Sequence, residues 1–418
     1  MKTISRIIIA NVLLFAFFCD AKAQAQDDNF YTISGIIRDT QTRRPLEYVA
    51  ISVVGNSIGT VSNADGEFSL KIPNEINNGN VAFSHLGYRT VVFPVRGENT
   101  LGVEVMLTQV ASVLSDVIIQ GGDARHIVQE AVSRIPVNYS GLPTQLTGFY
   151  RETVQKRRNY ISISEAVVDL YKTPYTQNIN LDRLQILKGR KLLSQRASDT
   201  LAVKLQGGPN LSIFVDIVKN PDVLLDSEAL SFFSFRLDNI TQINGRYQYI
   251  VSFQPQVVLP YPLYIGRFYI DRESMAFTRA EFSLDMSDRR KVTDMILRRR
   301  PMGLQFRPDE VSYVVVYQER DGVNYLSYIR NVIRFRCDWR RRLFSTNYTI
   351  VSEMVITDVN RQDVVPIPWR ETFRPTHILS DRVLDFYDED FWGAYNIIEP
   401  TESLEQAVSR LLRQQRSN

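Results

Sequence analysis

From Tyr31 to Ile119 the chain alternates apolar and polar residues in short runs, each closed by Pro, Gly, Asn or Asp. A period of two predicts strands. They fall at Tyr31 to Arg38, Glu47 to Val54, Ile58 to Ser62, Glu67 to Ile72, Val81 to Ser84, Thr90 to Val95, Val103 to Leu107 and Leu114 to Ile119. This spacing predicts a small β-sandwich over residues 30–120. After Gly121-Gly122 the period changes. Asp123 can cap a helix whose Ala124, Ile127, Val128, Ala131, Val132 and Ile135 recur at 3.6-residue spacing until Pro136, giving a helical linker over 121–145.

Alternation resumes at Gly148 and continues through "YISISEAVVDLYK", "YQYIVSFQP", "YIGRFYIDR", "AFTRAEFSLD", "VSYVVVYQE" and "NYLSYIRNVIRF". Asn244-Gly245 and Asp321-Gly322 mark tight hairpins between such runs. Residues 146–399 therefore predict a large antiparallel sheet or half-barrel, with a helical stretch near Pro209 to Phe233. Residues 400–418 predict an amphipathic helix with Leu404, Ala407, Val408, Leu411 and Leu412 in one stripe. The fold class is mainly β: a small N-terminal β-sandwich, then a large antiparallel β-sheet or half-barrel domain with a few helices. A closed membrane barrel fits poorly, because "RRRPMG" and "DWRRRLF" crowd charge between strands and the chain closes on a helix.

The stretch "ISGIIRDTQTRRPLEYVAISVVGNSIGTVSNADGEFSLKIP", followed by "VAFSHLGYRTVVFPV", resembles a carboxypeptidase regulatory-like domain. The matching elements are Gly35, Asp39, Pro45-Leu46, Ala50, Gly59-Thr60, Asp65-Gly66-Glu67-Phe68 and Gly87-Tyr88. The resemblance implies a seven-stranded, transthyretin-like sandwich without peptidase chemistry, of the kind found in Gram-negative outer-membrane-associated proteins. Downstream, "GRFYIDRESMAFTRAEFSL" resembles strand-turn-strand units of periplasmic lipoprotein carriers. "LTGFYRET" and the tail "FYDEDFWGAYNIIEPTESLEQAVSRL" resemble a family of exported, mostly uncharacterised proteins that join such a sandwich to a β-rich region.

The N-terminus adds a compartment. Lys2 and Arg6 precede the apolar run Ile7 to Phe18, and Ala21-Lys22-Ala23 offers a small-x-small cleavage site, so residues 1–23 read as a secretory signal peptide. Phe17 and Phe18 stand where a lipoprotein signal before Cys19 would need small residues, which favours cleavage after Ala23. No later run has the ~20 apolar residues a membrane-spanning helix needs. The 49 basic and 46 acidic residues lose Lys2, Arg6, Lys22 and Asp20 on cleavage, and the near-neutral remainder excludes nucleic acid as an expected partner. Only Cys337 would remain, so no internal disulfide is available.

Chemistry is sparse. In "SNADGEF" an EF-hand register on Gly66 aligns Asn63 and Asp65 but places Val61 and Ile72 at the first and last ligand positions, so a hairpin turn explains the residues better. Gly55-Asn56-Ser57-Ile58-Gly59 satisfies G-x-S-x-G, yet a strand follows it rather than a helix. His85, His126 and His377 are too scattered for a zinc site; His85 is expected inside the sandwich and His126 on an exposed helix face. Cys337 reads as a small buried hydrophobe. The clusters Arg289-Arg290-Lys291, Arg298-Arg299-Arg300 and Arg340-Arg341-Arg342 read as charged hairpin ends. The aromatic and acidic block Tyr387, Asp388, Asp390, Trp392 and Tyr395 is the candidate partner or ligand surface, with a packed loop burying Phe391 and Trp392 as the plainer alternative.

These features predict a non-catalytic, exported protein of the periplasm or outer-membrane surface, acting through contacts with envelope proteins or lipid and needing no cofactor or metal. The first alternative is a carrier or receptor holding a lipid or glycan in the half-barrel. The second is a peptidase or serine hydrolase.

Overall fold

The computed structural model describes residues 29–110, 123–196, 199, 204–205, 208–299, 301–339, 345–385 and 389–416. The signal segment, the strand expected at Leu114 to Ile119, Arg300, the Arg340-Arg341-Arg342 cluster, Tyr387 and Asp388 lie outside the described residues.

Seven strands build the sandwich: β1 (Phe30–Asp39), β2 (Ala50–Val53), β3 (Gly59–Val61), β4 (Glu67–Pro73), β5 (Gly79–Ser84), β6 (Val91–Val95) and β7 (Thr100–Leu107). They form two sheets, ordered β4-β1-β7 and β3-β2-β5-β6, with β1 and β7 parallel. The inward residues of both sheets make one apolar core, in which Phe68 and Phe83 meet edge to face at 5.2 Å. Gly35 on β1 allows β7 to lie close, since a Cβ there would sit 1.9 Å from the Val103 carbonyl oxygen.

The helix Asp123–Ser133 leads out of the sandwich. Pro136 does not end it. A second short helix, Ile135–Asn138, carries that proline in its own first turn, where a missing N–H costs nothing.

Thirteen more strands follow: β8 (Thr144–Lys156), β9 (Asn159–Lys172), β10 (Arg183–Leu193), β11 (Lys204–Leu205), β12 (Phe233–Ile243), β13 (Arg246–Pro255), β14 (Tyr264–Asp271), β15 (Phe277–Leu284), β16 (Leu297–Arg299), β17 (Leu304–Arg320), β18 (Val323–Trp339), β19 (Thr346–Asn360) and β20 (Leu384–Asp385). Eleven of them form one open sheet, ordered β12-β13-β14-β15-β17-β18-β19-β8-β9-β10-β20, while β11 and β16 pair separately. Only β20 pairs parallel, against β10. Asn244-Gly245 and Asp321-Gly322 turn two of the hairpins with φ positive at both residues, the backbone that twisted strands need.

One face of this sheet carries the main core, covered by the helices Asp123–Ser133, Pro209–Phe214 and Arg289–Ile296 and by the chain between Val215 and Leu230. The other face is covered by the sandwich and the C-terminal segment. The central strands are thus buried on both sides. Ser164 to Val168 are consecutively buried, and strict alternation could not have announced this. The C-terminal helix Glu402–Arg416 lays Leu404 and Leu411 against Ile163 and Leu192 of β9 and β10. Cys337 is buried, and burial pushes its thiol up to about 12.

Candidate functional site

Where the sandwich meets the sheet, two rows of side chains run across the strands. In strand register, Val316 lies beside Tyr328, Tyr328 beside Val355, Val355 beside Phe149 and Phe149 beside Val167. This apolar row spans β17, β18, β19, β8 and β9, and receives Val61 of the sandwich together with Phe391, Trp392 and Ile398. Tyr48 stacks on Tyr328 with ring centroids 5.4 Å apart, from a backbone held at φ 58°. A bulky residue in the left-handed region is strained, and here that conformation seats the ring on the sheet.

Two residues along the strands the row becomes ionic. Arg330, Glu353, Arg151, Glu165 and Arg190 are successive neighbours on β18, β19, β8, β9 and β10, with alternating charge. Arg151 Nη2 lies 2.7 Å from Glu165 Oε1, and Arg190 Nε 2.9 Å from Glu165 Oε2. Burial alone would raise the Glu165 carboxyl, but Arg151 and Arg190 hold it below the usual carboxylate range. Arg330 Nε approaches Glu353 at 3.6 Å and its guanidinium lies over Tyr48 at 5.2 Å. At the other end the Arg190 guanidinium lies 5.0 Å over Trp392.

A strap, residues 393–402, closes over this ladder. Arg151 donates from Nη2 to the Ile398 carbonyl at 2.8 Å and from Nη1 to the Glu399 carbonyl at 3.3 Å. The sandwich grips the same segment from its own side. Thr60 Oγ1 donates to the Ile397 carbonyl at 2.8 Å, and Asn63 Nδ2 to the Pro400 carbonyl at 3.1 Å. The Asn396 carboxamide accepts from Lys71 N–H at 2.7 Å and donates to Lys71 C=O at 3.0 Å, so a side chain mimics a strand partner along β4. Lys71 Nζ also donates to the Gly393 carbonyl. Asp65 Oδ2 accepts the N–H of Glu402 at 3.0 Å and caps the C-terminal helix from a different module.

The "SNADGEF" loop is therefore a turn with a second task. Asn63 Oδ1 accepts from Asp65 N–H and Glu67 N–H, both at 2.9 Å, and Gly66 has φ 77°. A Cβ on Gly66 would stand 2.7 Å from the Ile37 carbonyl oxygen. Ser57 donates to Asp358 and its carbonyl accepts from Arg320, so its hydroxyl is engaged by a carboxylate of the large sheet. His85 is half-buried at the edge of a 280 Å³ cavity between the modules, and burial together with Arg279 lowers its pKa. His126 is exposed on its helix.

Of the aromatic and acidic block, Asp390 falls in the turn Glu389–Trp392. Trp392 is a core side chain, 4% exposed and edge to face with Phe149 at 5.3 Å. Tyr395 remains exposed on the strap. The charge ladder escaped sequence reasoning. Its one visible trace is the presence of Arg151 and Glu165 inside the apolar runs "GFYRE" and "ISISEAVV".

A second ionic cluster lies in the main core on the opposite face of the sheet. Lys172 Nζ sits 2.7 Å from Asp216 Oδ2 and 3.4 Å from Asp182 Oδ2, all three side chains fully or almost fully buried. Tyr317 donates to Asp216 at 2.7 Å. Lys219 Nζ lies 3.6 Å from Asp182 and donates to Thr173 Oγ1 at 2.8 Å and to the carbonyls of Thr173, Pro174 and Gln177. Burial lowers the Lys219 ammonium to about 8, whereas Asp216 and Asp182 outweigh burial at Lys172 and raise it. Two cations thus balance two anions.

Residues 33–119 match the CarboxypepD_reg-like domain. The match begins in β1 and covers the rest of the sandwich, so a CarboxypepD_reg-like domain here is docked onto a second module. No curated protein matches the sequence. Among solved structures, a domain from Vibrio parahaemolyticus described as an outer membrane lipoprotein-sorting protein aligns over 59% of this chain and 95% of its own, at 11% identity and a TM-score of 0.28. A DUF1329 family protein from Desulfovibrio piger aligns over 59% and 94%, at 9% identity and a TM-score of 0.25. A membrane-associated protein of unknown function from Bacteroides fragilis aligns over 79% and 99%, at 10% identity and a TM-score of 0.16. Scores this low leave the large sheet to be read from its own residues.

Proposed function

We propose that the chain is an exported, non-catalytic protein of the cell envelope, in which the CarboxypepD_reg-like domain and the large sheet act as one rigid binding unit at or near the outer membrane. The observation that carries this reading is the strap. It ties Lys71 and Asn63 of the sandwich and Arg151 of the sheet to one stretch of chain, so neither module is presented alone. The deeply buried ionisable groups support it too. Arg151 and Arg190 are both engaged by Glu165, and Lys172 and Lys219 by Asp182 and Asp216, whereas a general acid or base works facing a cavity that admits substrate.

A carrier would need a vacant concave face. The helix-covered face of the sheet has Tyr150, Phe268 and Phe277 buried in its core, which weighs against an acyl chain inside the sheet. The test is a pull-down from solubilised outer membranes with the full chain and with Arg151→Ala, which loosens the strap. A partner retained by the wild type and lost by the variant supports the reading. A hydrolytic turnover abolished by changing one polar residue would overturn it.

A further inference from the structure

A cleft of 720 Å³ opens beside the strap, between β10 and the segment 370–384. Gly189 makes it: a Cβ there would lie 2.4 Å from Val383 Cγ1, so only glycine lets the segment before β20 cross β10 this closely. The wall is mixed. Leu187 and Leu384 are exposed apolar residues, and Phe391 adds an aromatic ring.

The polar groups are mostly cationic. Lys188, Arg374 and Arg382 all line the cleft, and none of the three has a carboxylate partner among the described residues. Lys188 Nζ is 4.4 Å from the Phe391 ring centroid, and Arg382 Nη2 is 3.1 Å from His377 Nε2. The one acid described in the lining, Glu371, is 3.3 Å from Arg370, a fourth cation. Burial, Arg382 and Arg374 all lower the His377 pKa, as expected where positive potential is already concentrated. Three cations without a carboxylate partner among the described residues line one open space, and an anion placed there is attracted by all of them. Apolar wall beside them offers burial to whatever the anion is attached to.

We propose that this cleft binds an anionic amphiphile, with its carboxylate or phosphate head on Lys188, Arg374 and Arg382 and its apolar body along Leu187, Leu384 and Phe391. The inference rests on the reading that the chain acts by binding and adds a ligand class to it. Calorimetry with the full chain at low salt, using dodecyl phosphate, laurate, dodecyltrimethylammonium and inorganic phosphate, tests it. Dodecyl phosphate or laurate should bind, and whichever is tighter distinguishes a phosphate-bearing from a fatty-acid source. The cationic detergent should bind at least ~10-fold more weakly, and inorganic phosphate, lacking the apolar body, should also be weaker.

The double variant Lys188→Ala/Arg382→Ala should lose at least ~10-fold in affinity for the anionic detergents with an unchanged melting temperature. Equal binding of anionic and cationic detergents, or undiminished binding by a folded double variant, would overturn the proposal. Release of inorganic phosphate from dodecyl phosphate, lost in the double variant, would support the cleft and defeat the non-catalytic reading. The two failures are therefore distinguishable.

Discussion

The sandwich and the large sheet solve the same problem by different means. The sandwich core is built from apolar side chains such as Phe68, Phe83, Ile37 and Leu70, and its main buried acid, Asp39, sits at a turn where Thr42, Gln41 and Tyr88 supply its hydrogen bonds. The large sheet places ions on both of its faces, the ladder from Arg330 to Arg190 on one and the Lys172–Asp216 cluster on the other. A sheet used on both faces must be told which partner goes where. Apolar burial is non-directional, whereas paired charges reject a misplaced partner. The ladder meets Tyr48 of the sandwich at Arg330 and Trp392 at Arg190, one at each end.

The largest effects test that contrast directly. Asp216→Ala leaves the buried Lys172 with only the more distant Asp182, at 3.4 Å, and Tyr317 without its acceptor, and should cost about 3–5 kcal/mol in urea unfolding. Replacing both members of the pair, Lys172→Met with Asp216→Leu, should recover most of that loss. If the double replacement is as damaging as the single one, the cluster contributes net stability and the contrast with the sandwich weakens. Phe83→Ala should cost a similar ~3–5 kcal/mol, but through a cavity, so no second substitution to a polar residue nearby should restore it.

An intermediate effect concerns pH. Glu165 has its pKa depressed in the folded chain, so its contribution is fully present above the ordinary carboxylate value of 4.5 and is lost as pH falls below it through the folded value. The acid limb of the stability curve should therefore be shallower in Glu165→Gln than in the wild type. Glu399, which burial raises, acts in the opposite sense, so the difference between the two curves is the quantity to compare. The smallest change is at the cap. Asp65→Ala should cost about 0.5–2 kcal/mol and speed hydrogen exchange in the first turn of Glu402–Arg416, leaving β1 to β7 protected. Unchanged exchange there would mean that the sandwich does not hold the helix.

Legibility differed between the two regions for a physical reason. Alternation in β1 and β4 reports one buried face per strand, and the loop around Gly66 carries its turn chemistry locally, whereas β3, docked on the large sheet through Val61, is buried throughout. In β8 and β9 the signal fails where both faces are covered, as at Phe149, Tyr150 and Arg151, all buried in succession. The block around Trp392 stands out by its composition, but composition does not distinguish a ring that meets a ligand from one that meets Phe149.

The alternating strands of the sandwich, the hairpins at Asn244-Gly245 and Asp321-Gly322, and the apolar stripe of the last helix are legible in the chain alone, because each is written within a few neighbouring residues. The charge ladder, the strap and the cationic cleft exist only in the folded chain. Arg151, Glu165, Arg190, Arg330 and Glu353 become neighbours through strand register, and the crossing at Gly189 brings Lys188 to Arg374 and Arg382. Register is set by how whole strands pair, a long-range choice that no local pattern records.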